Sequence, residues 1–140
     1  MNSCIFCKIV TGEIPAIKVY EDSICLAFLS IDPINHGHTL LIPKSHHRNW
    51  FETSDDILKH LAVQLKKVGI AVKTATNADG INLATNLEKA AGQIVFHTHV
   101  HITPRYDNDG FKHWPPKKYD QDEAREIAQK IKEEIEKEEK

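Results

Sequence analysis

Three histidines, His97, His99 and His101, occupy alternate positions in the last third of the chain. The residues between and beside them are mostly β-branched or aromatic, which favours an extended strand with successive side chains on opposite faces. The three imidazoles are therefore predicted to share one face of a strand. Imidazole titrates near neutral pH and acts as a nucleophile or a metal ligand, so the spacing indicates a chemical site.

A single metal ion held by all three histidines is not expected. In a strand, the Cα atoms of His97 and His101 would lie roughly 13 Å apart, whereas zinc holds its nitrogen ligands at about 2.1 Å. Two neighbouring histidines could share a metal, or each histidine could have its own role. A hydrolase with a catalytic zinc on this strand is one interpretation that the pattern leaves open.

The triad and its surroundings resemble the histidine triad (HIT) family. The family signature is His-x-His-x-His-x-x with apolar x residues and a preceding Gly-Gln pair, and further matches extend over about residues 4–105. The matching segments are 5–9, 13–15, 27–29 and 37–44, together with His46 and Asn86. The resemblance implies a hydrolase that attacks the α-phosphate of a purine nucleotide derivative. The reaction would form a covalent nucleotidyl-histidine intermediate and release a nucleoside monophosphate.

The roles of the three histidines follow from this chemistry and from the resemblance. His99 is flanked by a histidine on each side, which can fix its tautomer, so His99 is the candidate nucleophile. By resemblance, His101 contacts the phosphate and helps the leaving group depart, a general-acid role of about 10²–10⁴-fold in rate. His97 completes the catalytic triad.

The phosphate oxygens need donors where negative charge develops. By resemblance, these are Asn86 and the backbone amides near Gly92 and Gln93, although Asn86 alone would also fit an ordinary turn. Many family members carry Ser or Thr at the position of Ile94. Only the backbone amide of Ile94 could therefore serve the phosphate here.

A second site is indicated by Cys4 and Cys7, whose spacing suits two thiolate ligands of a tetrahedral zinc ion. Two further ligands are needed to complete the zinc site. In this respect the sequence resembles related bacterial members that have a Cys/Cys/His/His ligand set. The resemblance implies His46 and His97 as the other two ligands. Such a zinc would be structural and would tie the N-terminal segment to the triad. The alternative is a pair of reduced thiols in a helical turn. Cys25, between apolar neighbours, is predicted to be a small core residue.

The nucleoside pocket is implied by resemblance alone. Five apolar residues match positions that sandwich a purine, and each could equally be plain core. They are Phe6, Ile9, Ile14, Phe28 and Ile31. The Asp that usually binds the ribose hydroxyls is replaced by Ser30. Asp32, two residues on and on the same side of an extended chain, is the alternative ribose ligand.

The sequence combines features of two branches of the family. Pro104 and Arg105 resemble the bacterial and fragile-histidine-triad members, which implies dinucleoside polyphosphate substrates. Residues 113–116, His-Trp-Pro-Pro, resemble the end of the Hint branch, which cleaves nucleoside phosphoramidates. The departures at Ser30 and Ile94 also leave open a zinc-stabilised nucleotide-binding or scaffold protein with little turnover. The family usually forms homodimers, so a homodimer is expected.

Composition limits the remaining possibilities. With 140 residues, the chain is expected to form a single HIT domain, with a core at about 4–106 and a C-terminal extension. The net charge of −2 and the mixed distribution of charges give no basic stripe for nucleic acid. No long apolar run or secretion signal is apparent, so no membrane partner is expected. Three cysteines, two of them spaced for metal, predict a reducing, cytoplasmic compartment.

The expected fold class is α+β. The resemblance implies a HIT-like antiparallel five-stranded sheet with a long central helix and a C-terminal helix. Residue patterns predict a first helix capped by Ser3 and ended by Gly12, and a central helix opened by residues 53–56. A C-terminal helix is predicted at about 120–138, with a capping box at Asp120 and Glu123. The predicted strands are 17–20, 24–29, 39–42, 81–85 and the triad strand from about 94 to 102.

Overall fold

The computed structural model describes residues 3–139, which divide into two compact units, the first ending at Asp109 and the second beginning at Gly110. The second unit contains helix α3 (Glu123–Glu138). The elements of the first unit are α1 (Ile5–Thr11), β1 (Lys18–Glu21), β2 (Cys25–Leu29), β3 (Thr39–Pro43), α2 (Asp55–Thr76), β4 (Gly80–Ala84) and β5 (Val100–Arg105). Short 3₁₀ turns occupy Trp50–Glu52 and Lys89–Ala91. The predicted α+β class is confirmed.

The five strands form one sheet in the order β1-β2-β3-β5-β4, and every neighbouring pair is antiparallel. Helix α2 covers one face and helix α1 packs on the other, so the sheet separates two apolar clusters. The buried residues on the α2 side are Cys25, Ala27, Leu41, Leu61, Val68, Val72 and Ile102. Those on the α1 side are Phe6, Ile9, Leu26, Phe28, Leu40 and Ile42.

Helix α2 begins and ends where local chemistry requires. The Ser54 hydroxyl accepts a hydrogen bond from the Ile57 N–H, and two aspartates lie in the first turn, where the helix dipole favours negative charge. Asn77, in the left-handed conformation with φ 53°, ends the helix and donates its N–H to the last-turn carbonyls. The long central helix therefore begins within the segment predicted from the sequence.

Helix α1 differs from the prediction at its start. Cys4, and not Ser3, is the N-cap residue, because the Cys4 Sγ accepts the Cys7 N–H at 3.4 Å. Gly12, with φ 86°, ends the helix as predicted. The helix buries Phe6 and Ile9 against the sheet. A cysteine that caps the helix is thereby placed beside the triad segment.

The prediction of one continuous triad strand is wrong. Strand β5 begins at Val100, so only His101 is in the sheet, while His97 and His99 lie in the irregular segment before it. The reason is tertiary, because the Thr98 N–H donates to the His47 carbonyl at 2.8 Å instead of to a neighbouring strand. His101 lies opposite Leu40, so cross-strand pairing puts it on the α1 face.

Helix α3 is amphipathic, and its apolar stripe, Ile127, Ile131 and Ile135, is exposed. Asp122 is the N-cap, and only half of the predicted capping box forms, with the Glu123 carboxylate accepting the Asp120 N–H at 3.2 Å. Among residues 3–139, no helix is both long and apolar enough to cross a membrane.

Candidate active site

The hydrogen bonds of His99 fix its chemistry. Its Nδ1 lies 2.6 Å from the carbonyl oxygen of His97, which can only accept, so Nδ1 carries the proton. A neutral ring then keeps its lone pair on Nε2. The Phe6 ring meets the His99 ring edge-to-face, with centroids 5.1 Å apart. His99 is thus a buried imidazole with an Nε2 lone pair.

His97 has the opposite tautomer. Its Nε2 lies 2.9 Å from the carbonyl oxygen of Pro43, so Nε2–H donates and the lone pair is on Nδ1. That Nδ1 is 3.4 Å from the Cys4 Sγ and 3.6 Å from the Cys7 Sγ. His97 therefore presents a ligand atom to the two cysteines, as the resemblance implied.

His101 has a partner that the sequence interpretation missed. Its Nδ1 lies 3.0 Å from Nε2 of His38, a residue that is only 4% exposed and directly precedes β3. The rings of His99 and His101 meet with centroids 5.0 Å apart. The register of β3 and β5 would have revealed this contact. Leu40 lies opposite His101, so His38, two residues before Leu40, is on the same face of the sheet and diagonally across from His101.

Burial keeps the triad uncharged at neutral pH. It lowers the pKa of His99 below the usual histidine value, although the hydrogen bond to the His97 carbonyl opposes that shift. Burial, with His99 and His38 nearby, lowers the pKa of His101 to about 4. Burial likewise lowers the pKa of His97 to about 4. A neutral imidazole is the form that can attack phosphorus or bind a metal.

Cys4, Cys7, His46 and His97 form what we call the metal cluster. The Cys7 Sγ lies 3.3 Å from Nδ1 of His46, and the two histidine Nδ1 atoms are 3.2 Å apart. Tetrahedral zinc with ordinary bonds to nitrogen and sulfur has ligand–ligand edges of about 3.3–3.8 Å. The four donor atoms therefore fit one tetrahedral ion. Burial and Cys4 raise the pKa of the Cys7 thiol, a cost that a bound cation would offset by stabilising thiolate.

A second group, Asp22, Cys25 and His60, does not pass the same geometric test. His60 Nε2 lies 2.7 Å from the Asp22 Oδ2, a hydrogen-bond distance that is too short for a tetrahedral edge. The same carboxylate accepts the backbone N–H groups of Ile24 and Cys25, each at 2.8 Å. This group is a hydrogen-bond network that ties the β1–β2 turn to α2. Cys25 is fully buried, as predicted.

The predicted phosphate loop is braced by the side chain of Gln93. That amide accepts the Glu88 N–H and donates to the carbonyls of Arg48 and Val95. The backbone N–H of Gln93 donates to the Glu88 carbonyl at 3.1 Å, and that of Gly92 donates to the Lys89 carbonyl at 3.0 Å, so both predicted phosphate donors are used within the loop. Gly92, with φ 95°, packs beside Asn86, whose amide nitrogen would lie 3.6 Å from an added Cβ.

The predicted nucleoside-pocket residues differ in their exposure to solvent. Phe6, Ile9 and Phe28 are buried together, with Ile14 packed against them. Ile31 is 89% exposed, and Ile94 of the phosphate loop is 88% exposed.

The two candidate ribose ligands lie in the loop between β2 and β3. The Ser30 hydroxyl accepts the Asp32 N–H at 3.3 Å, and the Asp32 side chain is exposed. The Ser30 N–H donates to the His38 carbonyl at 2.8 Å, so this loop is attached to the segment that carries His38. Residues 113–116 lie in the second unit, where Trp114 is 92% exposed.

Comparison with known proteins supports the assignment made from the triad. The model of the HIT domain matches residues 11–108, which is more than half of the chain. The chain belongs to the HIT family. An uncharacterized HIT-like protein of Saccharolobus solfataricus is 44% identical over 129 residues, which are 91% of this chain and 93% of that protein. The adenylylsulfatase HINT3 of Arabidopsis thaliana is 44% identical over 108 residues, which are 77% of this chain and 55% of that protein.

Solved HIT structures share the fold. A HIT protein from Bacillus subtilis has a TM-score of 0.87 at 40% identity, covering 94% of this chain and 96% of that one. A histidine triad nucleotide-binding protein from Sulfolobus tokodaii has a TM-score of 0.74 at 43% identity, covering 91% and 88%. A zinc-bound HIT protein from Mycobacterium smegmatis has a TM-score of 0.75 at 39% identity, covering 84% and 85%. This HIT chain is therefore a protein of the nucleotide-binding and hydrolase type.

Proposed function

We propose that this HIT protein hydrolyses purine nucleotide derivatives at the α-phosphate and releases a nucleoside monophosphate. The observation that carries the proposal is the tautomer of His99, whose Nδ1–H is used by the His97 carbonyl and whose lone pair is therefore on Nε2. A buried, neutral imidazole beside a second neutral imidazole suits nucleophilic attack on phosphorus.

The reaction takes two steps. In the first, the Nε2 lone pair of His99 forms a bond to the α-phosphorus while the bond to the leaving group breaks, and the leaving group takes the electron pair. In the second, water attacks the phosphorus and the phosphorus–nitrogen bond returns its electrons to Nε2. One water proton stays on the monophosphate oxygen, and the other ends on the leaving group or in solvent.

The surrounding groups bind and orient the phosphate. Asn86 and the Ile94 backbone amide are the proposed donors to the phosphate oxygens, and the Gly92 and Gln93 amides would join them only by giving up their bonds to the Lys89 and Glu88 carbonyls. Ser30 or Asp32 would bind the ribose. The purine would lie against the proposed apolar set, which comprises Phe6, Ile9, Ile14, Phe28 and Ile31. The packing of Phe6 on the His99 ring supports a base pocket beside the nucleophile.

A structural zinc ion is proposed at the metal cluster. It would supply positive charge that keeps Cys4 and Cys7 as thiolates, and it would have no open position for substrate. The edge lengths of the cluster support this proposal, as does the zinc-bound relative. A reducing, cytoplasmic location would keep both thiols available.

A homodimer is proposed through the outer surface of α2 and β4. Strand β4 is at the edge of the sheet, and exposed apolar side chains at Val63, Ile70 and Leu83 lie on these two elements. An unpaired edge beside apolar surface favours association with another chain. Sedimentation velocity should give a dimer for the wild type and a monomer for Leu83→Asp. Monomeric wild-type protein at micromolar concentration would contradict the proposal.

The substrate class is tested by nucleoside monophosphate release from three substrates in parallel. They are adenosine 5′-phosphoramidate, diadenosine tetraphosphate and adenylyl sulfate, the last suggested by the name of the Arabidopsis relative. We expect release that requires His99, with His99→Ala as the control, and the preferred substrate identifies the leaving group. No His99-dependent release from any of them would favour the alternative of a nucleotide-binding protein with little turnover.

A further inference from the structure

The residue between the first two histidines of the triad departs from the family signature. The signature has apolar residues between the histidines, whereas Thr98 stands between His97 and His99. Thr98 is only 1% exposed. A buried hydroxyl without a hydrogen bond is costly, so the Thr98 hydroxyl needs a partner inside the protein.

The partner of Thr98 is a second buried threonine. Thr53, 5% exposed, directly precedes the Ser54 cap of α2, and the two threonine hydroxyl oxygens are 2.7 Å apart. The Thr53 hydroxyl also lies 2.8 Å from the carbonyl oxygen of Asn49, which can only accept. Thr53 therefore donates its proton to Asn49 and accepts the proton of Thr98. That proton also faces the His47 carbonyl at 3.3 Å, a longer and weaker contact.

One peptide group connects Thr98 to the candidate nucleophile. The carbonyl of His97 and the N–H of Thr98 belong to the same planar unit, so they turn together. The N–H donates to the His47 carbonyl at 2.8 Å, and the carbonyl accepts the Nδ1–H of His99 at 2.6 Å. A rotation of this unit that weakens the first bond therefore also turns the His97 carbonyl away from the His99 ring.

The hydroxyl bond restrains this peptide group through the Thr98 side chain. Threonine is β-branched and its χ1 is stiff, so fixing its hydroxyl also restrains the backbone of residue 98. Strand β5 begins only at Val100, so the backbone of the triad segment lacks the restraint of strand pairing. The carbonyl of His99 is held in a related way, because it accepts the Thr85 hydroxyl at 2.8 Å. Threonine hydroxyls thus restrain the backbone on both sides of the His99 ring.

We propose that Thr98 and Thr53 are positioning residues: their hydroxyl bond fixes the peptide group whose carbonyl orients the His99 ring. The pair joins the triad segment to the start of α2, across 45 residues of sequence. This inference rests on the proposed function for its catalytic meaning, whereas the orientation of the ring can be measured without a substrate. A buried polar pair favours one arrangement, since each hydroxyl must find its partner.

The first arm of the test is spectroscopic. Thr98→Val keeps the branched shape and removes the donor, while Thr98→Ser keeps the donor. Long-range ¹H–¹⁵N correlation on the full chain identifies the protonated ring nitrogen of His99, and exchange of its Nδ1–H with solvent reports how well the bond to His97 is held. We expect this exchange to be about tenfold faster in Thr98→Val, the factor that one buried hydrogen bond is worth, and unchanged in Thr98→Ser. An unchanged rate in Thr98→Val, or an equal acceleration in Thr98→Ser, would overturn the inference.

Thr53 tests the same bond from its other side. Thr53→Val removes the acceptor and should also accelerate the exchange of the His99 Nδ1–H. Thr103→Val is the matched control, since Thr103 is a buried threonine of β5 outside this pair, and it should leave the exchange rate unchanged. An acceleration by Thr103→Val as large as that by Thr53→Val would contradict a specific role for the pair. If Thr98→Val fails to fold, Thr53→Val and Thr98→Ser provide the comparison between losing and keeping the bond.

A double-mutant cycle separates the bond from the two side chains. In urea unfolding, each single valine variant should lower the equilibrium constant for folding by about tenfold, because it leaves the other hydroxyl buried without this bond. Thr53→Val/Thr98→Val should lose less than the product of the two single losses, because both hydroxyls are then absent. Losses that simply multiply would show that the two threonines act independently and would refute the pairing.

The last arm is kinetic. With adenosine 5′-phosphoramidate, Thr98→Val and Thr53→Val should lower kcat by about tenfold with a smaller change in KM, because the His99 ring is misdirected while the groups that bind the nucleotide are unchanged. Thr98→Ser should keep the kcat of the wild type. A wild-type kcat in both valine variants would overturn the catalytic role of the pair. Wild-type protein that is inactive on all three nucleotide substrates but shows the expected exchange rates would refute the proposed function and leave the positioning role standing.

Discussion

Replacing one ligand of the metal cluster should uncouple three parts of the first unit. Cys4 and Cys7 belong to the start of α1, His46 to the loop after β3, and His97 to the segment before β5. We choose His46→Gln because His46 is only partly buried, so the change creates little cavity. His47→Gln is the matched control, since His47 is adjacent in sequence, lies outside the cluster and hydrogen-bonds Ser45.

The magnitude follows from mass action. A ligand that binds only the folded state at about 1,000 times its dissociation constant stabilises that state by about 4 kcal/mol. For a chain of this length, about 1 kcal/mol corresponds to a change of about 3–4 °C in the melting temperature. We therefore expect a chelator to lower the Tm of zinc-loaded wild type by about 15 °C. His46→Gln should have the lower Tm from the start and should show little further fall.

Differential scanning calorimetry with and without chelator, together with zinc content by mass spectrometry, measures these quantities. His47→Gln should keep one zinc per chain and the full response to chelator. Activity should also fall by about 10–100-fold in His46→Gln, because the carbonyl of His97 orients His99 and the zinc would fix His97. Equal stability, zinc content and chelator response in the two variants would refute the reasoning. So would wild-type protein that binds no zinc.

Three further predictions concern other parts of the molecule. Burial raises the pKa of the Asp22 carboxyl, but hydrogen bonds from Cys25, Ile24, His60 and Tyr20 outweigh it and hold the pKa well below its usual range. Asp22→Asn should therefore lower the free energy of unfolding by about 2 kcal/mol at pH 7, as measured by urea titration. The difference between the two proteins should shrink as the pH falls below about 4, because the wild-type carboxylate then begins to lose its own stabilising contribution. Gly37→Ala should lower the free energy of unfolding by about 2–3 kcal/mol in the same assay, because Gly37 has φ 100° and a new Cβ would lie 2.6 Å from the Thr76 methyl. A loss of less than about 0.5 kcal/mol would contradict this argument from strain. Ile94→Ser should have a Tm within about 2 °C of the wild type, since Ile94 is 88% exposed. The same change should raise kcat/KM for the phosphoramidate relative to kcat/KM for diadenosine tetraphosphate. An unchanged ratio would exclude a role for this side chain in the choice of leaving group.

The parts of the fold that depend on local chemistry could be predicted from the sequence. Ser54 accepts a backbone N–H of the first turn of α2, and Gly12 ends α1 through its positive φ. These features were predictable because capping and left-handed conformations are properties of a few neighbouring residues. The extents of β2 and β3 were also close to those expected from their apolar, β-branched runs.

The parts that depend on distant contacts could not be predicted in the same way. The alternating pattern around the triad favours a strand from about 94, but hydrogen bonds to the loop after β3 hold Thr98 outside the sheet. Local propensity is overridden there by tertiary structure. The pairing of His38 with His101 spans 63 residues and becomes visible only when the register of β3 and β5 is known.

The central claim, that His99 forms the covalent intermediate, is tested most directly by trapping that intermediate. The wild-type protein is mixed with adenosine 5′-phosphoramidate or adenylyl sulfate and quenched within milliseconds in alkaline denaturant, because a phosphorus–nitrogen bond to imidazole is labile in acid. Intact-mass and peptide mass spectrometry then locate the adduct. We predict one adenylyl group on His99 in the wild type and none in His99→Ala. Turnover without an adduct at any quench time, or an adduct on another residue, would contradict this account.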